Sequence, residues 1–132
     1  MIIGKAKDCL NAVNGKLLQG SEKAMFRGVS INSRTIKAGE LFVCIKGKNF
    51  DGHDFFSDAV NKGAAGIILS ETKNLSADMI AKKGSPFVIQ SKSTLQALQD
   101  LASYQRSLFP FRVIAVTGTN GKSTTKEMIA SI

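Results

Sequence analysis

A glycine-punctuated segment near the end of the chain constrains the fold more than any other. The apolar run from Val113 to Val116 predicts a buried strand, Gly118 and Gly121 mark the turn that follows, and residues 126–132 favour a helix. Glycine reaches backbone conformations closed to other residues, so the main-chain N–H groups of such a turn can face one anion. The helix that follows directs its positive N-terminal end at the same place. The pattern predicts a strand–loop–helix unit that cradles phosphate, and such a unit needs a parallel sheet around it.

The side chains after this turn suit phosphate and magnesium. Lys122 would reach the β and γ oxygens of a nucleotide, and Ser123 would offer its hydroxyl to Mg²⁺. The usual loop, G-x-x-x-x-G-K-[ST], would have a glycine where Val116 stands, so this loop has the shorter form G-x-x-G-K-S. A β-hairpin is the alternative, because Asn-Gly is a strong hairpin signal. We favour the phosphate loop, since helix-forming residues follow it.

Length and charge limit the class of protein. The chain has 132 residues, 43% of them hydrophobic, which fits a soluble protein with one well-formed core. No apolar run approaches the roughly 20 residues that cross a bilayer, and the N-terminus lacks a secretion signal, so no membrane insertion is expected. The net charge of +8 is spread over scattered lysines without an arginine-and-aromatic strip, which argues against a nucleic-acid partner. Cys9 and Cys44 lack a C-x-x-C context and are expected to be free thiols in a reducing cytoplasm.

Helical and extended patterns alternate along the chain. Strands are predicted at residues 25–31, 41–45, 64–69 and 86–90, and helices at residues 6–18, 53–62, 76–83 and 94–108. Asn14-Gly15 is predicted to stop the first of these helices. Asp51 is placed to cap the second helix and Gly63 to end it. Ser93 and Gln96 form a capping box for the last helix, whose apolar face is predicted to comprise Leu95, Leu98, Ala102 and Leu108. This alternation predicts an α/β layer structure with at least partly parallel strands.

The chain divides into two unequal parts. Residues 1–110 are predicted to form a self-contained N-terminal domain. Residues 111–132 supply one strand, one loop and the start of one helix, which is too little for the sheet that a phosphate loop needs. We therefore expect the chain to be the front portion of a longer enzyme.

Two stretches resemble the Mur ligase family, and together they cover nearly the whole chain. One comprises residues 28–34, 39–43, 51–55 and 63–64 with Gly47 and Ala59, and the other comprises residues 116–129. In this family the short G-x-x-G-K-[ST] loop is the normal form. The family pattern has aspartate before Ser-Arg, whereas this chain has Asn32, which keeps an acceptor and the ability to form a turn but lacks the charge.

The resemblance implies a fold and two ligand sites. It implies an N-terminal Mur-ligase-type α/β domain with a mixed sheet flanked by helices, followed by the first strand, P-loop and helix start of a truncated ATPase domain. The UDP end of the substrate would contact Ile31, Ser33, Arg34, Lys48, Asn49 and Phe50. ATP would be bound by Gly118, Thr119, Asn120, Gly121, Lys122, Ser123 and Thr124. From the residues alone, a solvated loop with a buried Phe50 would be the better interpretation of the first set.

The resemblance also implies a reaction and its partners. The enzyme would use ATP and Mg²⁺ to activate a peptide carboxylate of a UDP-N-acetylmuramoyl peptide as an acyl phosphate, which the amine of D-alanyl-D-alanine attacks. Lys122 would be catalytic because it offsets charge on the transferring phosphoryl group. Lys126-Glu127 resembles the member of the family that adds D-alanyl-D-alanine. The alternatives are the sister that adds lysine or diaminopimelate, and a non-catalytic module that binds a nucleotide sugar. A cytoplasmic monomer is expected.

Two further expectations concern aromatic residues. His53 is the one histidine of the chain, and a capping or supporting role is expected instead of acid–base catalysis or metal binding. Phe42, Phe55 and Phe56 are expected to lie in the core.

Overall fold

Strands and helices alternate in the computed structural model of the protein, which describes residues 3–72, 75 and 85–108. The strands in these ranges are β1 (Ile3–Lys5), β2 (Lys16–Gln19), β3 (Met25–Arg27), β4 (Val29–Ser30), β5 (Leu41–Val43), β6 (Gly66–Leu69) and β7 (Phe87–Gln90). The helices there are α1 (Ala6–Val13), α2 (Phe56–Asn61) and α3 (Thr94–Ser107), with a 3₁₀ turn at Gly52–Asp54. The predicted helix at residues 76–83 lies outside these ranges.

A five-stranded mixed sheet in the order β2–β7–β6–β5–β4 forms the centre of the fold. The strands β4, β5, β6 and β7 run parallel, whereas β2 pairs antiparallel with β7 at the edge. β1 and β3 form a separate antiparallel pair. Because the four parallel strands point the same way, the loops that follow them emerge at one edge of the sheet. The predicted mixed, partly parallel sheet is confirmed.

The sheet is covered by helices on both faces. Leu41 and Val43 of β5 point into one apolar cluster, which they share with buried side chains of α1 and α3. Phe42, between them, points into the second cluster, which includes Phe56 of α2. All three residues of β5 are fully buried, as expected for a parallel strand covered on both faces. No helix in the described parts of the chain is both long and apolar enough to cross a bilayer.

Two predicted elements differ from the structure because of backbone turns. The first helix ends at Val13 and does not extend to residue 18, because Asn14 adopts the left-handed conformation with φ 50°, which confirms that Asn14-Gly15 stops it. The chain then turns back, and Lys16–Gln19 pair with β7 as a strand. The predicted strand at residues 25–31 is broken at Gly28, whose φ of 83° directs β3 and β4 into different sheets.

The last helix begins as predicted, although half of its capping box is missing. Ser93 Oγ accepts a hydrogen bond from Gln96 N at 3.2 Å. The Gln96 side chain donates instead to Asp100 Oδ1, at 2.9 Å, one turn along the helix. The cap is therefore a single hydrogen bond from the backbone of the first turn to a serine.

The buried face of α3 differs from the predicted one. Thr94, Ala97 and Leu101 are buried, whereas Leu95 is 55% exposed. Leu98 packs partly against the core, and Leu108, just beyond the helix, is 55% exposed. The prediction was wrong for Leu95 and Leu108 because it chose the face with the most leucines, while the close packing of α3 against α1 and the sheet selects a face with a small residue at its centre.

Candidate functional site

A cleft of about 340 Å³ lies beyond the carboxyl ends of β4 and β5. The segment after β4, the segment after β5 and the start of the 3₁₀ turn form its walls. The residues that line it are Ile31, Asn32, Ser33, Arg34, Phe42, Ile45, Phe50, Gly52 and Phe55. In sheets with parallel strands, ligands bind in crevices at this edge. The cleft therefore has the position and the mixed polar and apolar lining of a binding site.

The wall after β4 is a tight turn centred on Asn32. Asn32 Oδ1 accepts a hydrogen bond from Arg34 N at 2.9 Å, and Asn32 O accepts one from Ile36 N at 3.1 Å. Ser30 Oγ accepts a hydrogen bond from Asn32 N at 3.2 Å. Asparagine thus makes the turn without a negative charge. Ser33 is buried in this wall, whereas the Arg34 side chain is exposed and available to an anion.

A lysine from a distant part of the sequence holds the same turn. Lys62, which follows the last residue of α2, donates from Nζ to Ser33 O at 2.7 Å and to Arg34 O at 2.9 Å. Ile36, on the other side of the turn, is buried in the apolar cluster beside Phe56. The turn is therefore fixed both by its own hydrogen bonds and by contacts with α2.

The opposite wall presents an aromatic ring. Phe50 is 63% exposed, and its ring centre lies 6.2 Å from that of Phe55 with the planes tilted by 55°. The Phe50 backbone is held because Gly47 N donates to Phe50 O at 2.6 Å. The interpretation of Phe50 as a buried residue was wrong. Phe55 is half-buried and lines the cleft, so its assignment to the core was also wrong, whereas Phe42 and Phe56 are buried as expected.

Four of the six residues predicted for the UDP end surround this one cleft, namely Ile31, Ser33, Arg34 and Phe50. Lys48 and Asn49 are exposed on the same loop as Phe50 and do not line the cleft. Lys62 was missed by sequence reasoning, because nothing in the local pattern links it to residues about 28 positions earlier.

Gly52 also lines the cleft and was missed as a site residue. A Cβ at this position would lie 2.7 Å from Ile45 N and 2.9 Å from Cys44 Cα, so a larger residue would push apart the two segments that meet there. The Asp-Gly pair before the predicted helix was a signal of this close approach.

His53 links two loops at the edge of the sheet. It is 2% exposed, and its Nδ1 lies 2.6 Å from Asp51 Oδ1. Its Nε2 accepts hydrogen bonds from Ser70 N at 3.0 Å and from Glu71 N at 3.3 Å. Since Nε2 accepts, the ring proton is on Nδ1 and is donated to Asp51. The geometry agrees with the expected supporting role.

Asp51, His53 and Glu71 have potential ligand atoms within 4.8 Å of one another. The lone pair of His53 Nε2 is already taken by backbone N–H groups, and Nδ1 is directed at Asp51. This arrangement does not fit a metal ion, which would need a free imidazole lone pair.

Opposing effects act on the pKa of Asp51. Burial raises it, but hydrogen bonds from the side chain and backbone of His53, together with electrostatic interactions with His53 and Lys46, bring it below its ordinary value of 3.8. Asp51 Oδ1 accepts from His53 N at 3.0 Å and thereby caps the 3₁₀ turn. The carboxylate is therefore held in its charged form by the groups that it positions.

The residues predicted to bind ATP and Mg²⁺, from Gly118 to Thr124, lie outside the described residues, as do Lys126 and Glu127. The same is true of the predicted domain division at residue 110. These assignments remain predictions.

Comparison with known proteins places the fold in one family. The model of the Mur ligase family, catalytic domain, matches residues 25–106, which is more than half of the chain. A UDP-N-acetylmuramoyl-L-alanyl-D-glutamate–2,6-diaminopimelate ligase from Clostridium perfringens is 31% identical over 128 residues, covering 96% of this chain and 25% of the relative. A UDP-N-acetylmuramoyl-tripeptide–D-alanyl-D-alanine ligase from Bacillus subtilis is 35% identical over 133 residues, covering 100% of this chain and 28% of the relative.

Solved structures agree with these relatives. A UDP-N-acetylmuramoylalanyl-D-glutamyl-2,6-diaminopimelate–D-alanyl-D-alanyl ligase from Acinetobacter baumannii superposes with a TM-score of 0.75 at 27% identity, covering 96% of this chain and 27% of that protein. A MurF ligase from Thermotoga maritima in complex with ADP gives a TM-score of 0.59 at 36% identity, covering 76% of this chain and 22% of that protein. The chain spans about a quarter of the length of the curated relatives it matches. On the family match and the shared fold, the chain belongs to the Mur ligase family.

Proposed function

We propose that this chain is the N-terminal, UDP-substrate-binding portion of an ATP-dependent ligase of cytoplasmic peptidoglycan precursor synthesis. The whole enzyme adds D-alanyl-D-alanine to UDP-N-acetylmuramoyl-tripeptide and works as a monomer. The 132-residue chain alone binds the UDP end of the substrate weakly and forms no amide bond. The observation that carries the proposal is the convergence of Ile31, Ser33, Arg34 and Phe50 on one cleft in a chain of this family.

The chemistry of the cleft suits a uridine diphosphate. Arg34 offers a planar, permanently charged group that binds phosphate oxygens in a bidentate manner. Phe50 and Ile31, which are 63% and 54% exposed, offer apolar surface on which a pyrimidine ring can pack. Ser33, which is buried in the same wall as Ile31, adds a hydroxyl. Lys48 and Asn49 can contact the ligand only if their loop bends toward the cleft.

The second ligand of the enzyme is ATP with Mg²⁺. The G-x-x-G-K-S loop supports this assignment, as does the ADP complex of the related MurF ligase. Gly118 to Thr124 would hold the phosphates, with Lys122 on the transferring group and Ser123 on the metal. When bound, ATP supplies the phosphoryl group that activates the peptide carboxylate for attack by an amine. The residues described by the structure bind the other substrate, the UDP-N-acetylmuramoyl peptide, and orient its nucleotide end.

The sister reaction, addition of the third amino acid, is the second candidate. It is favoured by the several diaminopimelate-adding ligases among the relatives of this chain. Lys126-Glu127 supports D-alanyl-D-alanine addition instead. Incubation of the full-length protein with ATP, Mg²⁺ and either the UDP-muramyl dipeptide or the tripeptide separates the two. We expect a product from the tripeptide with D-alanyl-D-alanine, and a product only from the dipeptide with diaminopimelate or lysine would support the sister reaction.

The binding proposal is tested on the 132-residue chain itself. In a ¹⁵N-labelled sample titrated with UDP, we expect shifts of the amides at residues 31–34 and 50–52, with a Kd on the order of a millimolar. UMP should bind more weakly, because it lacks the second phosphate. Arg34→Ala should weaken UDP binding about tenfold, as expected for loss of a charged hydrogen-bonding partner. Arg106→Ala, which removes an exposed arginine at the end of α3, is the matched control.

Several outcomes would contradict the binding proposal. Shifts scattered over the surface, or equal affinity in the Arg34 and Arg106 variants, would remove the cleft from consideration. Lys48→Ala and Asn49→Ala decide separately whether these two residues contact the ligand. A loss of affinity in either variant would show that their loop closes on UDP.

A further inference from the structure

We propose that Lys62 is a positioning residue for this cleft. Its ammonium group holds the carbonyl groups of Ser33 and Arg34, and it thereby fixes the direction in which the side chains of these two residues face a ligand. The identity of the ligand rests on the proposed function, whereas the hold on the loop rests on the geometry alone.

The need for an outside donor follows from the shape of the loop. The hydrogen bond from Ile36 N to Asn32 O closes a single helical turn. The next carbonyl groups, those of Ser33 and Arg34, point out of the end of this turn, as the last carbonyl groups of a helix do. The Ser33 carbonyl lies in a partly buried place, where a backbone carbonyl needs a partner, whereas the hydrogen bond to the Arg34 carbonyl is exposed. A lysine at such an end satisfies both carbonyls. Lys62 Nζ reaches both oxygens, at 2.7 Å and 2.9 Å.

The backbone that carries Lys62 is anchored in the fold. It follows α2, which is anchored in the core by buried Phe56 and Ala59. Gly63, the next residue, accepts a hydrogen bond at its carbonyl from Gly39 N at 2.9 Å. This second contact joins the end of α2 to Gly39, in the segment between β4 and β5, and it does not involve the Lys62 side chain. Loss of the Lys62 amine should therefore release the backbone at Ser33 and Arg34 without detaching α2 from the sheet.

The first measurement follows the loop without any ligand. Arg34 is exposed and is itself a trypsin site, so cleavage after Arg34 reports on how often the loop opens. We expect Lys62→Met to accelerate this cleavage about three- to tenfold, because it removes two charge-assisted hydrogen bonds and keeps the apolar stem. Lys62→Arg should restore the slow rate, since a guanidinium can also donate to two oxygens. Lys37→Met, at an exposed lysine of the same segment, should leave cleavage after Arg34 unchanged.

The second measurement is UDP affinity in the same variants. Lys62→Met should weaken binding about three- to tenfold, with recovery in Lys62→Arg and no change in Lys37→Met. Tenfold faster opening corresponds to about 1.4 kcal/mol, so the unfolding free energy of Lys62→Met should fall by no more than about that amount, while Lys62→Arg and Lys37→Met should keep the wild-type value. A larger fall in Lys62→Met would indicate a general loss of stability and would overturn the positioning role. Equal weakening in the Lys62 and Lys37 methionine variants would assign the effect to net charge and overturn the proposal.

The two measurements fail in distinguishable ways. If the wild-type chain binds no UDP, the proposed function fails, and the cleavage rates still decide whether Lys62 holds the loop. If UDP binds to the wild-type chain and to Lys62→Met equally well, the positioning role is overturned and the proposed function stands. Unchanged cleavage in Lys62→Met would overturn the hold on the loop itself.

Discussion

The imidazole of His53 donates from Nδ1 to Asp51 Oδ1 across 2.6 Å, and its Nε2 accepts the backbone N–H of Ser70 at 3.0 Å. Asp51 follows the loop that carries Phe50, and Ser70 follows β6. The pair therefore joins the wall of the cleft to the neighbouring strand end through one buried side chain.

Acid should weaken this link, because the Asp51 carboxylate is more stable in the folded chain than in the unfolded one. Its folded pKa lies below the ordinary value, so its contribution is present in full above that ordinary value and is lost as the pH falls through the lowered pKa. We expect Asp51→Asn to remove this part of the acid dependence, since the amide oxygen can still accept from His53 but carries no charge. Urea unfolding at about pH 7 and about pH 3 measures the effect.

A control and a stronger variant complete this test. Glu22→Gln removes an exposed carboxylate in the turn before β3 and should keep the acid dependence that involves Asp51. Asp51→Ala should lower the free energy of unfolding at neutral pH by about 1–3 kcal/mol, because it removes both the cap and the partner of a buried histidine. An identical change in stability from neutral to acid pH in wild type and Asp51→Asn would show that the pair does not titrate as argued.

Substitution of Gly66 should destabilise the sheet from its centre. A Cβ at Gly66 would overlap the ring of Phe87, which is 1% exposed and pairs with Phe26 at a centroid distance of 6.1 Å. We expect Gly66→Ala to cost about 1–3 kcal/mol in unfolding free energy, the usual range for an overpacked core. Gly47→Ala is the control, because its Cβ would meet only Phe50 O at 3.4 Å. Equal urea midpoints for the two variants would contradict the packing argument.

Local signals in the sequence were sufficient to predict β5, β6 and β7 of the parallel part of the sheet, whereas β4 was predicted as one continuous strand with β3. The apolar run at Leu41–Val43 predicts a strand covered on both faces, and Ser93 marks the start of α3 by the hydrogen bond it accepts. β2 could not be predicted, because Lys16–Gln19 owe their extended form to pairing with residues some 70 positions later. Its sequence carries no alternation strong enough to compete with the helix before it.

The candidate site was predictable only in part, and for a similar reason. Two loops at strand ends could be identified from their residues, but the sequence did not show that Ser33 and Phe50 line the same cleft. Their proximity depends on β4 and β5 being neighbours in the sheet. Lys62 could not be found at all, because its role comes from the packing of α2 beside the loop and not from its own surroundings in the sequence.

The revised face of α3 gives a direct comparison of two leucines. Leu101 is 5% exposed and packs in the cluster with α1, whereas Leu95 is 55% exposed. We expect Leu101→Ala to lower the unfolding free energy by about 2–5 kcal/mol and Leu95→Ala to change it by less than about 0.5 kcal/mol. Chemical denaturation of the two variants measures the difference. A larger loss of unfolding free energy in Leu95→Ala than in Leu101→Ala would show that the face predicted from the leucine pattern is the buried one.

The two cysteines should be unreactive in the folded chain. Cys9 is 1% exposed and Cys44 is fully buried, and both are free thiols. Burial raises the pKa of each thiol to about 12, with smaller contributions from the charges of Asp8 and Asp51 respectively. The thiolate is the reactive form, so at about pH 8 almost no thiolate is present to attack a disulfide reagent.

We expect no labelling by an aromatic disulfide reagent until denaturant is added, and then two thiols per chain. An Asn11→Cys variant, which places a thiol on the exposed side of α1, should react at once and confirm that the reagent is active. Immediate labelling of wild type would show that the sheet opens at Cys9 or Cys44 far more often than its packing implies, and Cys9→Ala would then identify which of the two is reached.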